Sequence, residues 1–197
     1  MGRASESDCR VKVTVCIPSI PPRGKLLRRA LVSVLAQEKP PTAISVAIDH
    51  ERLGAAATRN EALFGARTEW VAFLDDDDEL KPEHLRRLCE HAEATGADVV
   101  FPWFDVIGGT DPFPMHEGKA YDPAAPHSFP ITTLVRRSLA YAAGGFPPGV
   151  VGEKAMGEDW QFWIRLRDLG ATIVHLPERT WLWHHDSGNT AGLPDRW

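Results

Sequence analysis

Four consecutive carboxylates, Asp75, Asp76, Asp77 and Asp78, close the apolar run WVAFL and stand a few residues before Pro82. Side by side they repel one another, so something must offset their charge. A divalent cation with hard oxygen ligands does so, and magnesium or manganese held by one or two carboxylates keeps coordination positions for substrate phosphates. The plainer alternative is a solvated acidic loop, favoured by the dipole of a helix that Pro82 opens. Other side chains with chemical capacity lie far along the chain. They are Asp49 after an apolar run, Arg59 in an Ala-rich stretch, Glu158-Asp159 ahead of an aromatic-rich run, and His184-His185 after Trp181-Leu182-Trp183. Each also has an ordinary reading. Asp49 suits a turn, Arg59 a surface or structural ion pair, and Glu158-Asp159 the first turn of a helix.

The elements that must position these residues follow from hydrophobic period. Residues 11–17, VKVTVCI, form a β-branched run closed by Pro18 and predict a buried first strand. Leu27, Ala30, Leu31, Val34 and Leu35 recur at helical spacing, and Pro40-Pro41 stops that helix. Residues 43–48 and 69–74 read as strands, 55–66 as a helix, and Pro82 as the start of another. Further on, 97–104 reads as a strand, 108–130 as a loop rich in Pro, Gly and Asp, and 158–169 as a helix facing inward through Phe162, Trp163, Leu166 and Leu169. Short strands are expected near 172–174 and 180–183. Alternating strands and helices predict a mostly parallel central sheet covered on both faces, with ligands at the carboxyl ends of the strands. Asp49 and Asp75 both fall at such ends.

A chain of 197 residues supports one buried core, so a single α/β domain is expected and every motif should converge on one site. With 43% hydrophobic residues and a net charge of -5, the composition offers no electrostatic reason for a nucleic-acid partner. No apolar run reaches the roughly 20 residues of a membrane span, and residues 1–10 lack the apolar core of a signal peptide. Those ten residues are expected to be flexible and the protein cytoplasmic. Cys9, Cys16 and Cys89 have neither metal-site nor disulfide spacing. Cys16 in a strand pattern and Cys89 on a helix face with Leu85, Leu88 and Ala92 read as small core residues.

Several segments together resemble the GT-A glycosyltransferases, in particular the family-2 type of inverting enzymes with an Asp-x-Asp motif. Phe73-Leu74 running into the quartet, with Pro82 beyond, is similar to the family's acidic motif. VTVCIPS resembles its opening strand, LLRRALVSVLAQ its first helix, and Gly54 with Ala57, Arg59 and Asn60 its Gly-to-Arg-Asn segment. AAGGFP at 142–147 and GEDWQFWIRLRDLG at 157–170 look like its acceptor-side blocks. The resemblance implies a GT-A fold with a nucleotide-sugar-binding half at 11–107 and an acceptor-side half at 108–197. It further implies transfer of a sugar from a nucleoside diphosphate donor, a UDP-sugar favoured, to an acceptor hydroxyl with inversion and with Mn2+ or Mg2+ as cofactor.

Roles carry over by position. Pro18 and Ser19 end the strand on which the nucleotide lies, Asp49 contacts the nucleobase, and Arg59 approaches the base or diphosphate. Alignment on Pro82 makes Asp77 the direct metal ligand and puts Asp75 and Asp76 nearer the ribose and metal-bound water. Asp159 stands at the family's general base, with Glu158 and Trp160 beside it on the acceptor side. A late His completes the metal or diphosphate site in many relatives, and His184 is the candidate, with His185 its neighbour. Trp103, Trp160, Trp181 and Trp183 could stack on a sugar or fill the core. The segment Ser19-Ile20-Pro21-Pro22-Arg23 is less polar than is usual where the nucleotide lies, and 49–54 is short. There is no Gln-x-x-Arg-Trp block, so transfer of one residue is expected. The acceptor, whether protein, glycan, lipid or small molecule, is open, and an oligomer is possible. An inactive binder of nucleotide-sugar or carbohydrate is the main alternative. A sugar-phosphate nucleotidyltransferase is less favoured, because the loop after the first strand lacks a Gly-rich basic pattern.

Overall fold

Strand β1 (Val13–Ser19) is the axis of the molecule, buried along its length except for a half-exposed Pro18. A computed structural model of the chain describes residues 11–111, 130–148 and 157–185. The two-residue period of β1 sends Val13, Val15 and Ile17 into one core and Cys16 into another, so the strand needs cover on both faces. Helices α1 (Gly24–Leu35) and α3 (His84–Thr95) supply Ala30, Val34, Leu85, Leu88 and Cys89 to the first core. Helices α2 (Ala55–Gly65), α4 (Arg137–Ala142) and α5 (Glu158–Asp168) supply Leu63, Ala140, Phe162, Trp163 and Leu166 to the second. Cys16 and Cys89 are fully buried core residues, and burial pushes the Cys16 thiol up to about 12. Cys9 lies outside the described residues.

The remaining strands are β2 (Ala43–Ile48), β3 (Trp70–Phe73), β4 (Glu79–Leu80), β5 (Val99–Ile107), β6 (Leu134–Arg136) and β7 (Ile173–His184). They join β1 in one seven-stranded sheet of order β2-β1-β3-β6-β5-β7-β4. β1 runs parallel to β2 and β3, and β5 parallel to β7, while β6 and β4 run antiparallel to their neighbours. The helix-covered α/β sheet expected from the sequence is present, with these two short strands making it mixed. Neither β4 nor β6 is long enough to show a period, which is why the sequence does not announce them. β6 slots between β3 and β5 and so ties the second half of the chain into the first.

Three sequence expectations change in detail. Leu169, expected on the inward face of the 158–169 helix, caps the end of α5 and is half exposed. The strands near 172–174 and 180–183 are one continuous β7, because Pro102 pairs with Leu176 and Trp103 with Arg179. The register therefore skips Pro177 and Glu178, an irregularity that accommodates a proline inside a paired strand. Pro82 does not open α3. The helix begins at His84, and Pro82 sits in the preceding turn, where its carbonyl accepts a 2.8 Å bond from the Glu38 N–H. Buried Gln37 holds that turn, donating to the Lys81 carbonyl at 2.7 Å and accepting from the Leu85 N–H at 2.9 Å.

Backbone pairing continues past the strand ends. The Asp49 N–H donates to the Ser19 carbonyl at 2.9 Å and the Leu74 N–H to the Cys16 carbonyl at 3.1 Å. Ser19, Asp49 and Asp75 thereby emerge at one edge of the sheet, the carboxyl end of its parallel part. Among the described residues no helix is long and apolar enough to cross a membrane.

Candidate active site

The loop after β3 turns tightly: the Asp78 N–H donates to the Asp75 carbonyl at 3.2 Å, which folds the acidic quartet back on itself. Each carboxylate then meets a different surrounding. Ser19 donates its hydroxyl to Asp76 at 2.6 Å, and Arg23 reaches both Asp76 at 2.9 Å and Asp77 at 3.0 Å. Arg29 of α1 donates to the Asp77 carbonyl and lies 3.4 Å from Glu79. Buried Asp78 accepts the His184 N–H at 2.9 Å. One oxygen each from Asp75, Asp77 and Asp78 lies within 4.8 Å of the others. These residues would hold a divalent ion, and an all-carboxylate set would suit Mg2+ or Mn2+.

Arg59 joins this loop to the distant acidic pair. From α2 its buried guanidinium donates to Asp75 at 2.8 and 3.1 Å and to Glu158 at the start of α5. Burial works against its charge, but Asp75, Glu158 and Asp159 outweigh that and push its pKa up. The chain segments at 75 and 158–159 therefore meet around one cation, despite more than eighty intervening residues. Arg59 takes the structural ion-pair option weighed from the sequence, and its ring neighbour is Phe146, 5.8 Å away. The adjacent Asn60 works on the same loop. Its side chain donates to the Phe146 carbonyl at 2.8 Å and accepts the Phe146 N–H at 2.7 Å. Gly145 takes φ 71° there, and any Cβ would collide with the Asn60 carboxamide, so both glycine features are needed. This clamp seats Phe146 against Phe73 and Phe162, at ring separations of 5.0 and 4.2 Å, behind Arg59.

Electrostatics sort the carboxylates. Asp75 to Asp78, Glu79, Glu158 and Asp159 outnumber the guanidiniums of Arg23, Arg29 and Arg59. Burial raises the Asp76 carboxyl, with Ser19 and Arg23 pulling it back. Burial, then Asp75 and Asp77, raise Asp78 well above the ordinary range. Burial also raises Asp159, with Glu158 and Asp75 adding to it and Arg59 opposing. Half-buried Asp159 accepts a 2.7 Å bond from the N–H of Trp160, itself half-buried in the first turn of α5. Asp49 differs: burial would raise it, but the N–H groups of Leu53, Gly54, Glu51 and Arg52 hold it below its usual value. Its two oxygens accept from Leu53 at 2.9 Å and Gly54 at 2.8 Å.

His184 lies beside the quartet, but its Nε2 is 2.7 Å from Glu79 rather than within the carboxylate trio. His185 bonds through its backbone to Ile107 at 3.0 Å. Trp103 and Trp181 are buried in the core, and Trp183 is half-buried on the same sheet. The sequence assigns no role to Arg23, Arg29 or Glu79, and it counts Asp78 only as one of the quartet that could hold a cation. A usable signal existed for the arginines, since four basic residues, Arg23, Lys25, Arg28 and Arg29, closely follow the first strand, at the edge where the quartet also emerges.

The fold defines the class first. The described residues build the GT-A arrangement, and superposition on S. aureus TarS supports it with TM-score 0.73 at 19% identity. The alignment covers 90% of this chain and 61% of the 1–349 chain solved with UDP. The same fragment solved with UDP-GlcNAc gives 0.73 over 91% of this chain and 60% of that one. Residues 43–149, more than half the chain, match the model for glycosyl transferase family 2, and the chain belongs to that family. It is 31% identical over 166 residues to the succinoglycan biosynthesis protein ExoM of Rhizobium meliloti (strain 1021), a match covering 80% of this chain and 52% of that protein. A second protein of the same organism, ExoO, is 40% identical over 62 residues, 32% of this chain and 18% of its own length. The chain thus spans about half, or less, of the curated relatives it matches.

Proposed function

We propose that this chain transfers a sugar from a nucleoside diphosphate donor, a UDP-sugar favoured, to an acceptor hydroxyl, inverting the anomeric centre. The observation that carries the reading is the meeting of Asp75 with Glu158 and Asp159 around Arg59, at the carboxyl edge of the sheet. A donor-side acidic loop and a candidate base then face one reacting centre. The solved complexes of TarS with UDP and UDP-GlcNAc share the fold and make uridine donors the first to test.

Asp75, Asp77 and Asp78 are the residues that would hold Mn2+ or Mg2+, and the ion would neutralise charge developing on the departing diphosphate. The Asp159 carboxylate accepts the proton of the acceptor hydroxyl as that oxygen bonds to the anomeric carbon. The anomeric carbon–phosphate oxygen bond breaks, and its electron pair leaves on the nucleoside diphosphate. Ser19 and Arg23 hold Asp76 still, which fixes the loop that presents Asp75 and Asp77. Pro18 and Ser19 line the nucleotide's path at the end of β1, Asp49 faces the base, Trp160 faces the acceptor, and His184 assists the metal or diphosphate through the neighbouring strand.

The test is a panel of nucleotide sugars with Mn2+, reading nucleotide release with and without acceptors. Release should require a divalent cation and fall roughly 10²-fold in Asp77→Asn while the fold persists. Release that is indifferent to both chelator and Asp77→Asn would remove the metal from the reading.

A further inference from the structure

Arg23 is more than a clasp for the quartet. It ends the turn after β1 and puts Nη1 within 2.9 Å of Asp76 and 3.0 Å of Asp77. Asp77 also belongs to the trio whose oxygens gather within 4.8 Å. One carboxylate therefore faces two cationic claimants, and a guanidinium and a divalent ion drawn to the same aspartate repel each other.

We propose that Arg23 is an internal counter-cation that competes with the divalent ion for Asp77 and, once the ion enters, turns to the donor's diphosphate. The inference rests on the reading of Asp77 as a metal ligand. The reach is adequate. With metal–oxygen bonds of about 2.1 Å, a phosphate oxygen on an ion held by Asp77 would lie about 3 to 4 Å from the aspartate oxygen. Arg23 already stands 3.0 Å from one oxygen of that carboxylate, and its contact with Asp76 can serve as the pivot. Guanidinium forks suit phosphate oxygens at least as well as carboxylates, so the swap exchanges one charge-assisted bond for another. The side chain is 13% exposed and starts from a short turn, so the swing has to be a small rotation about the Asp76 contact. Asp77, Asp76 and Asp75 keep it charged against the cost of burial.

Competition in the free protein and attraction in the loaded one give opposite signs when Arg23 is removed. A purely structural arginine would weaken both ligands or neither. Free Mn2+ is counted by electron paramagnetic resonance without nucleotide, and UDP binding by calorimetry at saturating Mn2+, for wild type, Arg23→Gln and Arg23→Lys. Arg23→Gln should bind Mn2+ roughly fivefold tighter and UDP roughly tenfold weaker. Arg23→Lys, which keeps the charge but loses the fork, should fall between on both axes and serves if the Gln variant melts early. Wild-type uptake of Mn2+ with no gain in Arg23→Gln, or unchanged UDP affinity, overturns the role of Arg23 alone. If neither wild type nor variant takes up Mn2+ even with UDP present, the metal reading fails and this inference falls with it.

Discussion

Asp49 and Asp159 both stand at the sheet edge where the site forms, yet the 49–54 loop and the 157–159 turn treat a carboxylate in opposite ways. The first loop bends its own backbone around Asp49, with Arg52 at φ 60° and Gly54 at φ 91°, so that four N–H groups stabilise the anion. The second gives Asp159 one local N–H and buries it, with Arg59 opposing the rise that burial causes and Glu158 and Asp75 adding to it. A carboxylate satisfied by its own loop contributes to folding and has little basicity to offer. A carboxylate held in a partly buried, negatively charged setting keeps its proton affinity, which is what proton abstraction from a hydroxyl needs.

The largest expected effect breaks the second region. Asp159→Asn should cut transfer by roughly 10³-fold while UDP binding and Tm stay near wild type. Unchanged transfer would end its assignment as the base. In the native protein, transfer should decline on acidification at a pH above that of an ordinary carboxylate, because the raised pKa of Asp159 protonates the base early.

A second prediction uses a group away from the site as the reference for stability. His84 is fully buried, its Nδ1 is 2.8 Å from the Thr180 hydroxyl, and burial lowers its pKa to about 3. The unfolded chain takes up a proton near pH 6.5 and the folded chain only near about 3. Stability is therefore complete above that window and lost as pH falls through it, by several kcal/mol at most. Melting temperatures across pH should show this slope in wild type and a shallower one in His84→Gln. An equal slope would mean that the carboxylates alone set acid stability.

Asn60→Ala should cost about 2–4 kcal/mol, because it leaves the Phe146 N–H and carbonyl without their side-chain partner. Denaturant titration measures this, and a near-neutral result would show that the 144–146 loop does not depend on the clamp. The smallest effect sharpens the first region. Asp49→Asn should cost about 1–2 kcal/mol at neutral pH, through weakened charge-assisted bonds to Leu53 and Gly54. Because its folded pKa is depressed, that contribution is present above the unfolded value and disappears as pH falls through the folded one. If UDP affinity also drops well beyond the stability change, Asp49 serves the nucleobase as well as its own loop.

Much of the fold was legible because period and burial are local. The two-residue alternation of Val13, Val15 and Ile17 against Cys16, and the helical spacing of Ala30 and Val34, specify which face each residue buries. The acidic quartet and the Glu158-Asp159 pair were visible as residue types for the same reason. The strands Glu79–Leu80 and Leu134–Arg136 were not, since so few residues carry no period and exist only through their neighbours' hydrogen bonds.

By itself the amino-acid order determined the strand and helix alternation, the core faces and the chemical types at the sheet edge. Tertiary structure alone decided the partnerships: Arg59 between Asp75 and Glu158, Arg23 on Asp76 and Asp77, and His184 on Glu79. The reason is physical. Charge interactions act through space over a few ångströms, and only the folded sheet brings residues 23, 59, 75 and 158 within that range.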